Sequence, residues 1–218
     1  MEEFSTRVLA RVRPEAFDDD PATWQRRKSA NTREQILEAT IDRLVTDGYA
    51  RLSIKKVTDA ARVSKGAMHH HFATKTALVA AAIEYTFYRR MEHFLAEIAK
   101  VTAASRDFIA DATELHWRSV ETREYAAYLE LAVAARTDKE LNAHFLPASR
   151  RFDKVWREEM IIAFPRWKER LPQLLLANDF AIAMHMGMLM MKPVFRNGER
   201  MKALHKLTLQ VIKQIHSE

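Results

Sequence analysis

Residues 32–83 read TREQILEATIDRLVTDGYARLSIKKVTDAARVSKGAMHHHFATKTALVAAAI. Thr32 and Gln35 have capping-box spacing, which predicts a helix starting at Thr32. Ile36, Leu37, Ile41, Leu44 and Val45 then recur at helical spacing. Gly48 can close that helix, because glycine takes positive φ without a Cβ penalty. Tyr49 and Leu52 are placed to fold back over the helix end. Ser53 is a candidate N-cap for a short helix with Ile54, Val57, Ala60 and Ala61 facing inward. Arg62-Val63 is a short break. Ser64 caps a second short helix, Lys65 to Phe72, with Met68 and Phe72 inward. Thr74 caps a long helix whose apolar side is Leu78, Val79, Ala82, Ile83, Phe87, Met91, Phe94, Leu95 and Ile98.

Outward from this stretch the chain still reads helical. Upstream, residues 1–28 show no sustained apolar period. They mix Arg7, Arg11 and Arg13 with the Asp18-Asp19-Asp20 run and Pro21, and an extension is expected, partly disordered, with a short helix around Ser5–Val12. Downstream, helices are expected over Ser105 to Glu121, Glu124 to Thr137 and Lys139 to Phe164, where Pro147 either kinks the last or ends a shorter piece. Pro165 and Pro172 bracket a connector. Residues 173–195 are very apolar, and Gly198 precedes a final amphipathic helix. No alternating strand pattern and no internal repeat occur. The expected fold is all-α: an extension over 1–28, a three-helix helix-turn-helix domain over 29–75, and a C-terminal helical bundle domain over 76–218 that dimerises.

Composition narrows the function. The 218 residues include no cysteine, which excludes disulfides, cysteine–zinc sites and a thiol nucleophile. Four glycines and six prolines argue against β-sandwiches, barrels and glycine-rich phosphate loops. No run of about 18 apolar residues is found, so no membrane span is expected, and the N-terminus lacks the apolar core of a secretion signal. The expected location is the cytoplasm. The formal charge of +6 is uneven: residues 26–75 hold 11 basic and 5 acidic side chains, against 3 and 6 in residues 1–25. A solvated, mixed-charge helical surface would account for this; so would an anionic partner.

Two short helices joined by a tight break and followed by a longer helix make a helix-turn-helix. To enter a major groove about 12 Å wide, the second must be small and polar at its start. That start is Ser64-Lys65-Gly66-Ala67, followed by exposed positions at His69 and His70. Thr32, Ser53 and Thr74 begin helices, with Arg33, Lys55, Lys65 and Lys75 on or beside helix starts, where phosphates are favoured. The stretch 32–83 resembles the DNA-binding domain of TetR/AcrR-type bacterial transcriptional regulators. The resemblance lies in the Thr-Arg start, Gly48-Tyr49, the Ser53 cap, Ala61, Val63-Ser64-Lys65-Gly66, His71-Phe72, Lys75 and Leu78. Arg62 stands where that family usually has glycine, Thr58 where it has alanine, and His69 where it has tyrosine. The resemblance implies a homodimer on palindromic double-stranded operator DNA, with an interface on the last two long helices. It also implies a C-terminal domain whose small-molecule effector resets the spacing of the two reading heads. Leu189, Leu204, Leu207, Val211 and Ile215 are the candidate interface residues.

Several features read two ways. Consecutive histidines on a helix point about 100° apart, so His69, His70 and His71 do not converge on one metal ion. His71 is expected inward beside Phe72, and His69 and His70 outward. No metal or cofactor is expected. Phe87, Met91, His116, Trp117, Tyr125, Tyr128, Phe152, Trp156, Met184, His185 and Met188 are either ordinary core or the wall of an effector pocket. Glu114, Glu121 or Glu130 could face a cationic ligand or plain solvent. Arg26-Arg27-Lys28 is either a solubilising tail or a DNA-contacting arm. No catalytic motif is present, so an enzyme is not expected. The expected function is a DNA-binding transcriptional repressor under small-molecule control. The alternative is a helix-turn-helix protein without an effector, controlled by a protein partner.

Overall fold

The computed structural model describes residues 2–14, 24–163, 168–195 and 198–217. The Asp18-Asp19-Asp20 run, Pro21 and Pro165 lie outside them, as does the part of the expected disorder that falls on 15–23. The fold is all-α, with no strand among the described residues. The helices are α1 Glu2–Val12, α2 Trp24–Asp47, α3 Ile54–Ala61, α4 Lys65–His71 and α5 Lys75–Ala104, then α6 Phe108–Val120, α7 Arg123–Ala135, α8 Lys139–Ala163, α9 Leu171–Met191 and α10 Gly198–Ser217. A 3-10 turn, Tyr49–Arg51, follows α2. The positions 28/29 and 75/76, expected as domain boundaries, both fall inside continuous helices.

Two compact units form, each from separate stretches of chain. The first comprises 9–91 and 123–153. Its core joins Ile36, Leu37, Ile41 and Leu44 of α2 to Val57 and Ala61 of α3, Met68 of α4, Phe72, and Leu78, Val79, Ala82 and Ile83 of α5. Ala127, Leu131, Ala135, Leu141, Phe145 and Ala148 of α7 and α8 complete it. The apolar spacing read from the sequence is therefore the packing face, with two exceptions. Val45 and Ala60, expected inward, are exposed. Gly48 has φ +78°, and a Cβ there would stand 3.0 Å from Glu130 Oε1. Backbone freedom and a close approach both require glycine at that point.

Thr32 is a correction. It does not cap a helix: α2 begins upstream at Trp24, and Thr32 Oγ1 donates to the Lys28 carbonyl 2.9 Å away inside the helix. Gln35, cast as the other half of the capping box, instead donates to the Ala61 carbonyl at 2.8 Å. The three downstream caps hold. Ser53 accepts from the Lys56 N–H, Ser64 from Ala67 and Thr74 from Ala77. Pro147 neither ends nor splits α8. It lies on an exposed face, where water can meet the carbonyl that its ring deprives of a partner.

The second unit comprises 1–8, 92–122 and 154–218. Phe4 and Val8 of α1 are buried, and Arg7 pairs with the buried Glu159 at 2.8 Å. Ala177 and Ala181 of α9 pack on Ile212 of α10, with Ile109, Phe180 and Ile215 around them. Asp107 caps α6 by accepting from the Ala110 N–H and also pairs with Lys213. Pro172, expected to close a connector ahead of a helix over 173–195, lies in the first turn of α9, which begins at Leu171. Contrary to the sequence reading, α9 is long and apolar enough to cross a membrane by length and composition, with a mean hydropathy of 1.5 over an 18-residue window. That test is also met by packed helices of other proteins, and α9 packs on α6 and α10.

Candidate nucleic-acid interface

The helix-turn-helix is built by local chemistry. Ser53 starts α3, which ends at Arg62, whose backbone is left-handed at φ 52°, ψ 38°. Its N–H donates to the Asp59 carbonyl, and that of Val63 to Thr58. A glycine would hold this conformation without strain; arginine holds it at a cost of about 1–2 kcal/mol. Ser64 then starts α4. Met68 and Phe72 are fully buried and fix which face of α4 turns outward.

That outward face carries Ser64, Lys65, Gly66, His69 and His70, all exposed, with Ala67 partly so. His71 is partly buried, and its ring contacts that of Phe72 at 6.4 Å. Burial, then the electrostatic influence of His70 and Arg33 beside it, lower the His71 pKa. The expected division of the three histidines is the observed one. A Cβ on Gly66 would meet only Ser64 Oγ, at 3.8 Å. Glycine is thus not required there by the protein's own packing.

The other candidate contacts differ in freedom. Lys55 is exposed and pairs with Asp59 at 2.8 Å, a weak pair that an anion can replace. Lys75 sits at the start of α5 with Nζ 4.9 Å from the Tyr49 ring centre. Arg33 is committed inward: its guanidinium lies 4.5 Å over the Phe72 ring, and Nη1 reaches the His71 carbonyl at 3.5 Å. Desolvation lowers its pKa. Thr32 and Ser53 are partly buried, with hydroxyls engaged by backbone. Residues 26–28, expected as a tail or arm, belong to α2.

Gln35 and Arg33 were not read from sequence as the ties they are. Both bind backbone of the reading motif from α2, a long-range relation that helical periodicity does not encode. A second set of ties holds α2 itself. Arg123 at the start of α7 pairs with Glu38 and Asp42, and the buried Tyr85 donates to Glu34 and Glu38. Burial, then these carboxylates, push the Tyr85 pKa far up. Glu130 of α7 accepts the Tyr49 N–H at 2.7 Å, and the Tyr49 hydroxyl donates to Asp138 at 2.9 Å.

The candidate effector residues divide between the two units. Phe87, Met91, Tyr125, Tyr128 and Phe152 belong to the first, with ring centres 5.0–5.5 Å apart for Phe87–Phe152, Phe87–Tyr128 and Tyr125–Tyr128. Arg90, which the sequence did not single out, lies among those rings. His116, Trp117, Trp156, Met184, His185 and Met188 belong to the second. There His116 and His185 stack at 5.0 Å with their Nδ1 atoms 2.8 Å apart, and His205 stacks on His185 at 5.4 Å. Burial, then the neighbouring His205, lower the His185 pKa to about 4. Glu130 holds Tyr49, Glu121 pairs with Lys192, and Glu114 pairs with Arg118 and His205, so each carboxylate has a protein partner.

With this geometry in place, relatives identify the motif. Residues 36–82 match the profile of the bacterial regulatory proteins of the tetR family. An uncharacterized HTH-type transcriptional regulator of Mycobacterium tuberculosis is 34% identical over 120 residues, 55% of this chain and 61% of that protein. The chain thus spans about 61% of the length of that curated relative. A TetR-family member from Streptomyces coelicolor superposes with a TM-score of 0.58 at 19% identity, covering 84% of this chain and 97% of the other. The multidrug binding protein EbrR, complexed with imidazole, gives 0.57 at 18% identity, covering 84% and 93%. These two solved structures share the fold. Over residues 36–82 the chain is similar to the tetR family of bacterial regulatory proteins, and its fold is the one these solved structures share.

Proposed function

We propose that this regulator binds palindromic operator DNA as a homodimer, with α4 in the major groove, and represses until a small effector lowers its operator affinity. The observation that carries the reading is the outward face of α4. It is short, cationic at Lys65, open at Gly66 and locked in register by buried Met68 and Phe72. Lys55 and Lys75 flank it as phosphate contacts, and His69 and His70 are placed as donors to phosphate or base edges. Ser53, Ser64 and Thr32 act through backbone geometry, and Arg33 by holding the end of α4. DNA binding places its work in the cytoplasm. EbrR, a multidrug binding protein of the same fold, supports small-molecule control. The exposed apolar side chains Met190 and Leu207 support a partner subunit on α9 and α10.

The test is operator binding measured across salt concentrations. Lys65→Ala and Lys75→Ala are each expected to weaken binding to all sequences alike and to reduce the salt slope by about 1. Gly66→Leu is expected to abolish binding with an unchanged melting temperature, since the new side chain projects into the groove and not into the protein. Full binding by all three variants would remove α4 from the interface.

A further inference from the structure

Within the first unit several arginines meet carboxylates: Arg89 and Arg123 pair with Glu38, and Arg151 with Glu84. Arg90 of α5 does not. Its Cζ lies 4.0 Å from the ring centre of Tyr128 and 4.3 Å from that of Tyr125. Phe152 and Phe87 stand at 5.4 and 5.7 Å. The Nε atom is buried and has no hydrogen-bond partner, and no carboxylate among the described residues forms an ion pair with this side chain. Burial lowers its pKa, opposed by the two tyrosines, one of which shares a hydrogen bond with it.

A guanidinium has five N–H donors, all in its plane. Ring faces attract the cation from above and below, the more so where water is excluded, but they satisfy none of those in-plane donors. A buried donor left without an acceptor is costly, and more so on a charged group. The missing element is an acceptor lying in the guanidinium plane with a negative charge. A carboxylate supplies it as a two-pronged fork. Arg90 is partly buried as a whole residue. The same four rings that enclose it offer apolar faces and edges to whatever carries that carboxylate. Arg90 lies one helical turn after Phe87 and faces Tyr125 and Tyr128 of α7 and Phe152 of α8, so three helices build the site.

We propose that Arg90, with Phe87, Tyr125, Tyr128 and Phe152, forms the receiving site of the effector, and that this effector is an organic carboxylate on an aromatic body. The proposal rests on the reading of the chain as an effector-controlled regulator and gives that effector a chemical class.

The experiment uses the full chain, with benzoate, 2-naphthoate and anthracene-9-carboxylate, each against its neutral carboxamide. Calorimetry gives the affinities, and a gel shift with operator DNA gives the release. At least one acid is expected to bind tenfold or more tightly than its amide and to release operator. In Arg90→Met the preference for the acid falls below twofold. Arg90→Lys keeps charge but loses the fork, and an intermediate preference is expected. Equal binding of acids and amides by the native protein overturns the proposal, and so does failure of all three acids to bind. A Met variant that folds and retains the preference overturns it too; if the Met variant does not fold, a Lys variant with undiminished preference does so. Operator binding without any acid is scored separately. Its absence would remove the regulator reading, whereas intact operator binding with no acid preference removes only the effector class.

Discussion

Two residues hold unfavourable states that the rest of the fold imposes, and each makes a measurable prediction. Arg62 is the one non-glycine residue with positive φ among those described. Its side chain is exposed, so replacing it loses little packing. Arg62→Gly is expected to relieve the left-handed penalty, less the entropy glycine adds to the unfolded chain, for a net gain of about 0.5–1 kcal/mol. Thermal unfolding should shift up by about 1–4 °C; a lower melting point would show that the arginine side chain is itself stabilising. His185 is buried and neutral against His116, His205 and Trp117, with Glu114 reached through His205. Its folded pKa of about 4 lies below the ordinary 6.5. The neutral form therefore contributes its full stability above pH 6.5, and that contribution falls as pH drops towards 4. At pH 5 the loss is on the order of 2 kcal/mol relative to pH 7.5. Urea unfolding at both values should show it, with a shallower fall in His185→Gln. Equal falls in the two proteins would assign the acid sensitivity to other groups.

At the scale of elements, what was legible was what is local. Ser53, Ser64 and Thr74 were readable as caps because the cap bond closes within three residues. The inward faces of α3, α4 and α5 followed from spacing, apart from Ala60. The start of α2 was not legible. Thr32 and Gln35 stand at capping-box spacing by coincidence, while helix propensity carries the helix back to Trp24. Gln35 finds its partner 26 residues away at Ala61, and no local pattern specifies that pairing. The candidate DNA contacts fared by the same rule. Those on α4 lie where spacing put them, whereas Arg33 turned inward because Phe72, 39 positions later, offers a ring. Arg90 was hidden for the same reason: two of its ring partners come from α7 and one from α8.

At the scale of the whole molecule, the proposed dimer would close through α9 and α10. Met190 and Leu207 are 59% and 52% exposed, and Leu176 and Met191 are exposed as well. Water-facing apolar side chains on neighbouring helices mark an interaction surface. The double variant Leu207→Glu, Val211→Glu is expected to be monomeric by light scattering and to lose operator affinity, because each half-site is then held by one reading head alone. A variant that stays dimeric would place the interface on other helices.

The bond from Glu130 to the Tyr49 N–H bears on how a signal could be transmitted. Tyr125, Tyr128 and Glu130 all belong to α7. From Tyr125 to Glu130 is about 8 Å of continuous helix, little more than one turn. At its near end this segment forms part of the ring cage around Arg90; at its far end it grips the turn that closes α2. Gln35 and Arg33, on α2, in turn fasten the C-terminal ends of α3 and α4. With the proposed effector in place, such a segment would act as a short crank. Rotation or sliding of α7 by a bound molecule would reach the grip without attenuation, since a helix this short has no hinge in which to absorb it. Shortening Glu130 to aspartate would then leave ligand and DNA each bound as before but mechanically disengaged.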